Sequence, residues 1–522
     1  MKKFLRRLSS FVKGEGVTGS AMTALFIGVV IAINAIVYAF TVGFGLYLYS
    51  PATDDLSISG ATDALFEDAI AEAERTGERV TIILCRARSA FDPSSSTFVD
   101  DEVNKFYITA KQFEERYPTF IQLAYLNIVT RRMTVGDSTE EELVKNLSDY
   151  QLTDANGDLY PLYNSSVIFK SKNQHKTVSN IASAAFMLDS SSTSGAYQSY
   201  NGEEVIAAMI SWVLTDEHKV AYFTTHHGET SDIAFANMLT CAGYSVETVD
   251  LRKVPEIPQD ADLVVISNPN KDFERSAEGS SIFSEVDKLE RYVNGGGSLY
   301  VALDPYVEKL YVLEGFLEEH GISFSETERD GKLFRNIVKD SDNAITADNF
   351  TLVTDFSDSD VAKTVEAKVS SVTDARVIIR ECSALTLSKD AKPLLVTSSS
   401  SSLYAGGEKI DNAGRYCIGA VASSETESGE TSNIFVVPSV YLSANDALSK
   451  SGYANRDFIY ALLDSVFGAE SVPYGCTPVF RQDQTLENLT MKAARLYTAL
   501  VLSIPVAIAA VGTVVIVKRK NR

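Results

Sequence analysis

The 522-residue chain lacks the usual signatures of a self-sufficient enzyme. No Gly-x-x-x-x-Gly-Lys-Ser/Thr segment occurs, so the chain is not a P-loop ATPase. No Gly-x-Ser-x-Gly or Gly-x-Cys-x-Gly elbow occurs, which argues against a nucleophile seated on a strand-to-helix turn. No His-Glu-x-x-His spacing offers a zinc site. Cysteine is sparse: Cys85, Cys241, Cys382, Cys417 and Cys476 are widely separated and form no Cys-x-x-Cys pair. That spacing is no disulfide framework; the reading is buried free thiols, with a single bridge as the alternative. Positive charge is scarce in the middle of the chain. The net charge is −22, yet residues 1–50 carry +4 and residues 491–522 carry +6, leaving −32 on 51–490. So acidic a middle repels phosphate backbones, and no nucleic-acid partner is expected.

Charge is missing altogether from two windows. None occurs between Glu15 and Asp54, and the run 21–49 is predominantly apolar. A second run, Leu496 to Val517, ends at Lys518-Arg519-Lys520. A bilayer core of about 30 Å needs roughly 20 apolar helical residues. Both runs are therefore expected to be transmembrane helices. The first is too long for a signal-peptide core and has no small-x-small site before Asp54, so it reads as an uncleaved anchor. The basic tails at 1–20 and 518–522 place both termini in the cytoplasm. A two-pass protein of the cytoplasmic membrane follows, with its acidic domain region extracytoplasmic and membrane lipid as a partner.

The expected domain layout places an N-terminal α/β domain at 54–190. There Val80–Cys85 and Phe120–Val129 read as strands and Val103–Tyr117 as a helix. Residues 139–149 read as a helix with Thr139 and Glu142 at capping-box spacing. The layout is loosely thioredoxin-like, but Cys85-Arg86-Ala87-Arg88 lacks a second cysteine, so no redox chemistry is inferred. Residues 190–202 read as a polar linker. A larger α/β domain spans 203–470, followed by a membrane-proximal linker at 471–495. Within 218–305 four strand-like runs alternate with helical ones, which requires parallel pairing through crossovers and hence a doubly wound, flavodoxin/Rossmann-like sheet. The triplet Gly295-Gly296-Gly297 reads as a helix stop. Residues 336–440 look β-rich, with serine-rich low-complexity loops.

In an open α/β sheet, ligands bind beyond the carboxyl ends of the strands, near the switch in strand order. Those ends are Thr225-His226-His227-Gly228-Glu229, then Asn268, then Asp304. Their side chains are placed to converge on a ligand or partner. A metal reading is weak, because adjacent loop histidines point apart. A hydrolase reading lacks its nucleophile. The preferred reading is a noncatalytic binding loop in which Gly228 serves a turn and Glu229 complements the dipole of the following helix. No catalytic residue, metal or cofactor is assigned.

The segments KVAYFTTHHGE, GYSVETVDL, IPQDADLVVISNPNKDF, YVNGGGSLYVALDP and LEGFLEEHGI occur in that order. Together with VVPSVYLSAND and YANRDFIYALLDSVFG, they resemble the auxiliary components of ABC-type transport systems related to the gliding-motility protein GldG. That family carries a motif like Thr-Gly-His-Gly-Glu, matched here by Thr225 to Glu229 with His226 in place of the first glycine. The resemblance covers 215–470 well and 55–185 loosely. It implies a noncatalytic accessory subunit of an export system, with separate permease and ATPase chains as partners. The rival expectations are an envelope hydrolase using the His226–Glu229 loop and a stand-alone carbohydrate- or ligand-binding module.

Overall fold

The computed structural model describes residues 58–480, apart from 100, 139, 153–158, 189–196, 231–232, 277–283, 412, 427–428, 451, 471 and 477, with isolated positions from 490 onward. The expected span at 21–49 and most of the one at 496–517 lie outside the described residues. Among the described residues no helix is long and apolar enough to cross a membrane. Asp55–Lys492 forms one compact unit of mixed α/β structure with parallel sheet regions.

The N-terminal part begins with α1 (Gly60–Thr76), capped by the Ser59 hydroxyl and ended by left-handed Gly77. A six-stranded sheet follows, built from β1 (Val80–Leu84), β2 (Ile121–Asn127), β3 (Arg132–Val135), β4 (Glu142–Leu143), β5 (Val167–Lys170) and β6 (His175–Val178). Their order is β4-β3-β2-β1-β5-β6. Only β1 and β2 pair in parallel, joined through α2 (Glu102–Arg116), whose N-terminus Asp101 caps. The helix expected at 139–149 is absent. Glu142 and Leu143 pair with Met133 and Arg132, and residues 147–150 form a 3-10 turn. Hairpin pairing with β3 supplies backbone partners that outweigh the local helical preference.

The larger sheet starts after α3 (Gly202–Leu214). Its first strands are β7 (Val220–Thr224), β8 (Ser245–Val249), β9 (Ala261–Ser267) and β10 (Ser298–Ala302), interleaved with α4 (Ile233–Cys241) and α5 (Glu285–Asn294). After α6 (Tyr311–Glu319) come β11 (Ile322–Phe324), β12 (Asp355–Phe356), α7 (Asp360–Val372), β13 (Leu385–Leu387), β14 (Lys392–Val396), β15 (Cys417–Glu425), β16 (Thr431–Val437) and α8 (Asn455–Ser465). The strand path is β8-β7-β9-β10-β16-β15-β13-β11, with β14 also on β15 and β12 on β14. From β8 to β16 every pairing is parallel; from β16 to β15 onward every pairing is antiparallel.

Alternation along the parallel strands explains their unbroken apolar character. Leu263 and Val265 enter one core, with Phe235 and Phe458, while Val264 and Ile266 enter another, with Leu289 and Phe316. Tyr300 and Phe435 follow the first pair; Leu299, Val301 and Val436 follow the second. Both sheet faces are thus covered, and such strands read as continuous hydrophobic runs. The glycine triplet ends α5: Gly295 N–H reaches the Arg291 carbonyl at 2.9 Å, and Gly296 takes φ +98.

Several features depart from the sequence reading. Helix α7 stands inside the stretch expected to be β-rich, with Ala362, Val365 and Val369 buried on one face. The supposed polar linker contributes Tyr197–Tyr200, which pairs with Phe186–Leu188 and Val479–Phe480. The serine-rich loop is ordered around a carboxylate: Ser398, Ser400 and Ser401 hydroxyls all donate to buried Asp340. Burial pushes the Asp340 pKa up, but those hydroxyls and two backbone N–H groups overcome it and hold the group below its ordinary value.

The two ends of the 58–480 core lie side by side. Ser59 donates to Glu203 Oε1 through N–H at 2.8 Å and hydroxyl at 2.7 Å, while Val479 pairs with Tyr200. Farther on, the Lys492 N–H reaches the Asp342 carbonyl at 3.0 Å.

All five cysteines are free. Burial pushes the Cys85, Cys382, Cys417 and Cys476 thiols up to about 12 and raises Cys241 as well. Thiolate is the reactive form. The folded protein should therefore react slowly with an aromatic disulfide reagent near pH 8 and release five equivalents on denaturation. A reducing agent should leave its melting temperature unchanged.

Candidate functional site at the carboxyl edge of the parallel sheet

Strand order reverses between β7 and β9: the chain runs outward from β7 to β8, then returns to β9 on the other side. The carboxyl ends of these two strands carry the loop 225–230 and Ser267–Asn268. Ser267 Oγ donates to the Thr230 carbonyl at 2.8 Å and Asn268 Nδ2 to Thr230 Oγ1 at 2.8 Å, so the two loops are stitched together. Thr225 N–H and hydroxyl both bond the Val249 carbonyl at the end of β8, at 3.0 and 3.3 Å.

The two histidines turn to different partners. His226 is half exposed, with Nδ1 3.1 Å from Asp250 Oδ2. His227 is 3% exposed and lies between two acids. Its Nδ1 bonds Glu229 Oε1 at 2.9 Å, and its Nε2 lies 2.9 Å from Glu285 Oε1 as an ion pair without good hydrogen-bond alignment. One ring face stacks on Phe273 at 3.9 Å. Glu229 Oε2 also accepts the His227 N–H at 2.6 Å, and Glu285 Oε2 accepts the Glu274 N–H at 2.9 Å. Burial disfavours the imidazolium, but the carboxylates on either side outweigh it and bring His227 to about 9. Glu229 is driven up by burial and down by His227, ending below its ordinary value. At neutral pH the ring is an imidazolium clamped from both nitrogens, with no lone pair left to take a proton or bind a metal.

Glu285 and Phe273 were not singled out by sequence reasoning. Ser284 and Asp287 mark the start of α5 as a capping box, which the sequence shows, but nothing in it directs the acid between them to a loop near residue 227. Glu229 itself bonds His227, beyond the helix-dipole role expected for it.

Gly228 takes φ +76 and His226 takes φ +82. Left-handed backbone costs a residue with a Cβ roughly 1–2 kcal/mol. Replacing His226 with glycine should raise stability by about 0.5–1 kcal/mol in denaturant unfolding, the relief of strain exceeding the added chain entropy.

Asp304 stands apart from this loop. It borders a separate cleft of about 450 Å³ with Arg380, Glu381, Ser439, Tyr441 and Asp446, and none of Thr225–Glu229 lines it. This cleft lies beyond the carboxyl ends of β10 and β16. Asp304 Oδ1 accepts the Tyr306 N–H at 2.8 Å, which fixes the carboxylate at the rim. Its lining residues come from the turn after β10, from Arg380 and Glu381 within the long insertion, and from the segment after β16, so the chain order does not reveal them.

No protein-family model matches the chain, and no curated protein matches it. Among solved structures it is similar to the N-terminal domain of mmIFT52, at 15% identity over 47% of this chain and 96% of that one, with a TM-score of 0.35. It is also similar to a putative ThuA-like protein from Bacteroides uniformis, at 15% identity over 49% and 94% of the two chains and a TM-score of 0.29. PurLQS from Thermotoga maritima aligns at 11% identity over 48% and 99%, with a TM-score of 0.27. Likenesses this distant carry no argument about function.

Proposed function

We propose that this chain is a noncatalytic auxiliary subunit of an ABC-type export system, binding a partner or cargo through the loops at the carboxyl edge of its larger sheet. The observation that carries this reading is the His227 clamp. The position where an α/β enzyme places reactive groups is occupied by a protonated ring locked between Glu229 and Glu285. The neighbouring cleft at Asp304 and Arg380 stays open and polar, as a recognition surface requires.

In this reading the parallel strands, ordered second-first-third-fourth-fifth, form a flavodoxin-like doubly wound sheet. The order β2-β1-β5-β6 supports a thioredoxin-like layout for the smaller sheet. Helices at 21–49 and 496–517 anchor the protein in the cytoplasmic membrane with both termini inside. The adjacent ends of the core, at Ser59 and Val479, suit two neighbouring anchors. The permease and the ATPase are separate chains, and the transport context rests on the GldG-like order of motifs.

The test is purification of the tagged full-length protein in mild detergent, with mass spectrometry of its companions. An ABC permease and ATPase should be recovered at near-stoichiometric levels. Recovery of the protein alone from an intact membrane would sink the accessory role.

A further inference from the structure

Helices α3, α4 and α8 border a cavity of about 200 Å³ that shares only Asn445 with the carboxyl-edge cleft. Its walls include the apolar side chains of Phe186, Ala234 and Met238. Its polar lining comprises Ser183, Asn237 and Asn445 together with the buried Asn201, Glu204 and Arg456, only 6%, 1% and 7% exposed. Glu204 is well satisfied. Arg456 Nε donates to its Oε2 at 2.9 Å, Arg456 Nη2 approaches the same oxygen, and the Tyr460 hydroxyl donates to Oε1. Among the described residues, Arg456 Nη1 and Asn201 Oδ1 have no hydrogen-bond partner. A buried polar group left unmade costs about 1–3 kcal/mol, so these two lining residues carry unmet hydrogen-bonding capacity, although Arg456 also borders a second cavity with Asp457 and Tyr460.

The chemistry of an occupant follows from these groups. The Glu204 carboxylate balances the Arg456 guanidinium, so the cavity calls for no net charge, and an anion would face Glu204. Arg456 Nη1 needs an acceptor, and the Asn201 amide needs a group that donates, or accepts if the amide is turned over. A carboxamide offers both functions on adjacent atoms. The apolar walls take a short aliphatic tail, and at about 30 Å³ per water the space equals roughly six or seven waters. We infer that this cavity is a binding site for a small uncharged molecule with a carboxamide head and a short aliphatic chain.

The site sits against the segment that joins the two ends of the core. Asn201 and Glu204 flank Tyr200 and Glu203, which hold Val479 and Ser59. An occupant bonded to Asn201 and Arg456 ties that segment to α8 and slows its opening.

The experiment titrates butyramide, with butyrate as the charged control, into the full-length protein in detergent. Melting temperature and amide hydrogen exchange are followed together. Butyramide should raise the melting temperature saturably and slow exchange in 199–204 and 476–480, while butyrate should do neither. Ala184→Leu fills the cavity from a partly exposed wall position and leaves the Glu204–Arg456 pair intact; it should weaken the response roughly tenfold or more. Asn201→Ala, a second variant that removes one recognition group, should weaken it as well. No saturable response to butyramide, an equal response to butyrate, or a response unchanged in both variants overturns the site and leaves a cavity that holds only water.

Discussion

Replacing His227 with alanine should lower the stability of the folded protein by about 3–5 kcal/mol, the usual consequence of removing one partner from a buried ion pair. The side chain sits between Glu229 and Glu285, both almost fully buried, at 2.9 Å from each. Without the ring, two carboxylates are left in a closed space with no cation between them. One of them must take up a proton or the loop must open. Phe273 also loses the ring it stacks on. His227→Gln keeps the volume and one donor, and should cost less. A catalytic role would show differently: the alanine variant would keep its stability and lose an activity. Urea unfolding followed by the fluorescence of Trp212, the sole tryptophan, separates the two outcomes.

The same site gives the protein a pH dependence whose direction is fixed. His227 is raised from 6.5 to about 9 in the folded state, so folding favours its charged form. Its contribution is therefore fully present below pH 6.5 and is lost as the pH rises through about 9. At roughly 1.4 kcal/mol per pH unit, the loss amounts to about 3 kcal/mol. Glu229 is lowered, so its contribution is present above its unfolded value and is lost as the pH falls through the folded one. Stability should decline between neutral pH and pH 9 in the natural protein, and that slope should flatten in His227→Gln. An unchanged slope in the variant would mean that another group titrates there.

How much of this was legible in the sequence depends on range. The strands at Val220–Thr224, Ala261–Ser267 and Ser298–Ala302 announce themselves as apolar runs because both their faces are covered. The stop at Gly295 is equally local. The fifth parallel strand is not: Thr431–Val437 pairs with Ser298–Ala302 across an insertion of more than a hundred residues. An apolar run there reads as a strand, but nothing local says which neighbour it takes. Helix α7 had a signal, a Ser359 cap and a buried face at Ala362, Val365 and Val369, set within a stretch whose overall character is β. At the site, Thr225–Glu229 could be placed at a strand end by position alone. The acid that completes the clamp, Glu285, belongs to a helix more than fifty residues later, and only the packed fold brings it to His227. Asn455 is a similar case. It opens α8, but its fully buried amide bonds both the N–H and the carbonyl of Ile378, a cross-link no spacing rule predicts.

Removing one side of the Glu204–Arg456 pair should be at least as damaging as removing His227. These residues are 252 apart in sequence and join α3 to α8. Arg456 reaches Glu204 through two nitrogens, and the Tyr460 hydroxyl completes the carboxylate. Burial opposes the Arg456 charge, yet Glu204 overcomes that penalty and keeps the guanidinium firmly protonated. Glu204→Leu leaves a guanidinium in the interior with no counter-ion, and Arg456→Met leaves a carboxylate there; each should cost about 3–5 kcal/mol. The double replacement should recover most of that loss, because a packed apolar pair avoids desolvating two charges. Tyr460 is then left without its acceptor, so adding Tyr460→Phe should recover more. Trp212 stands on α3 itself, so its fluorescence reports directly on whether that helix stays docked. If the pair were dispensable, each single replacement would fall within about 0.5 kcal/mol of the natural protein, as surface changes do. If instead the single losses were large and the double replacement failed to recover them, the pair would be needed for the position of α3, where both ends of the core are held, rather than for charge balance alone.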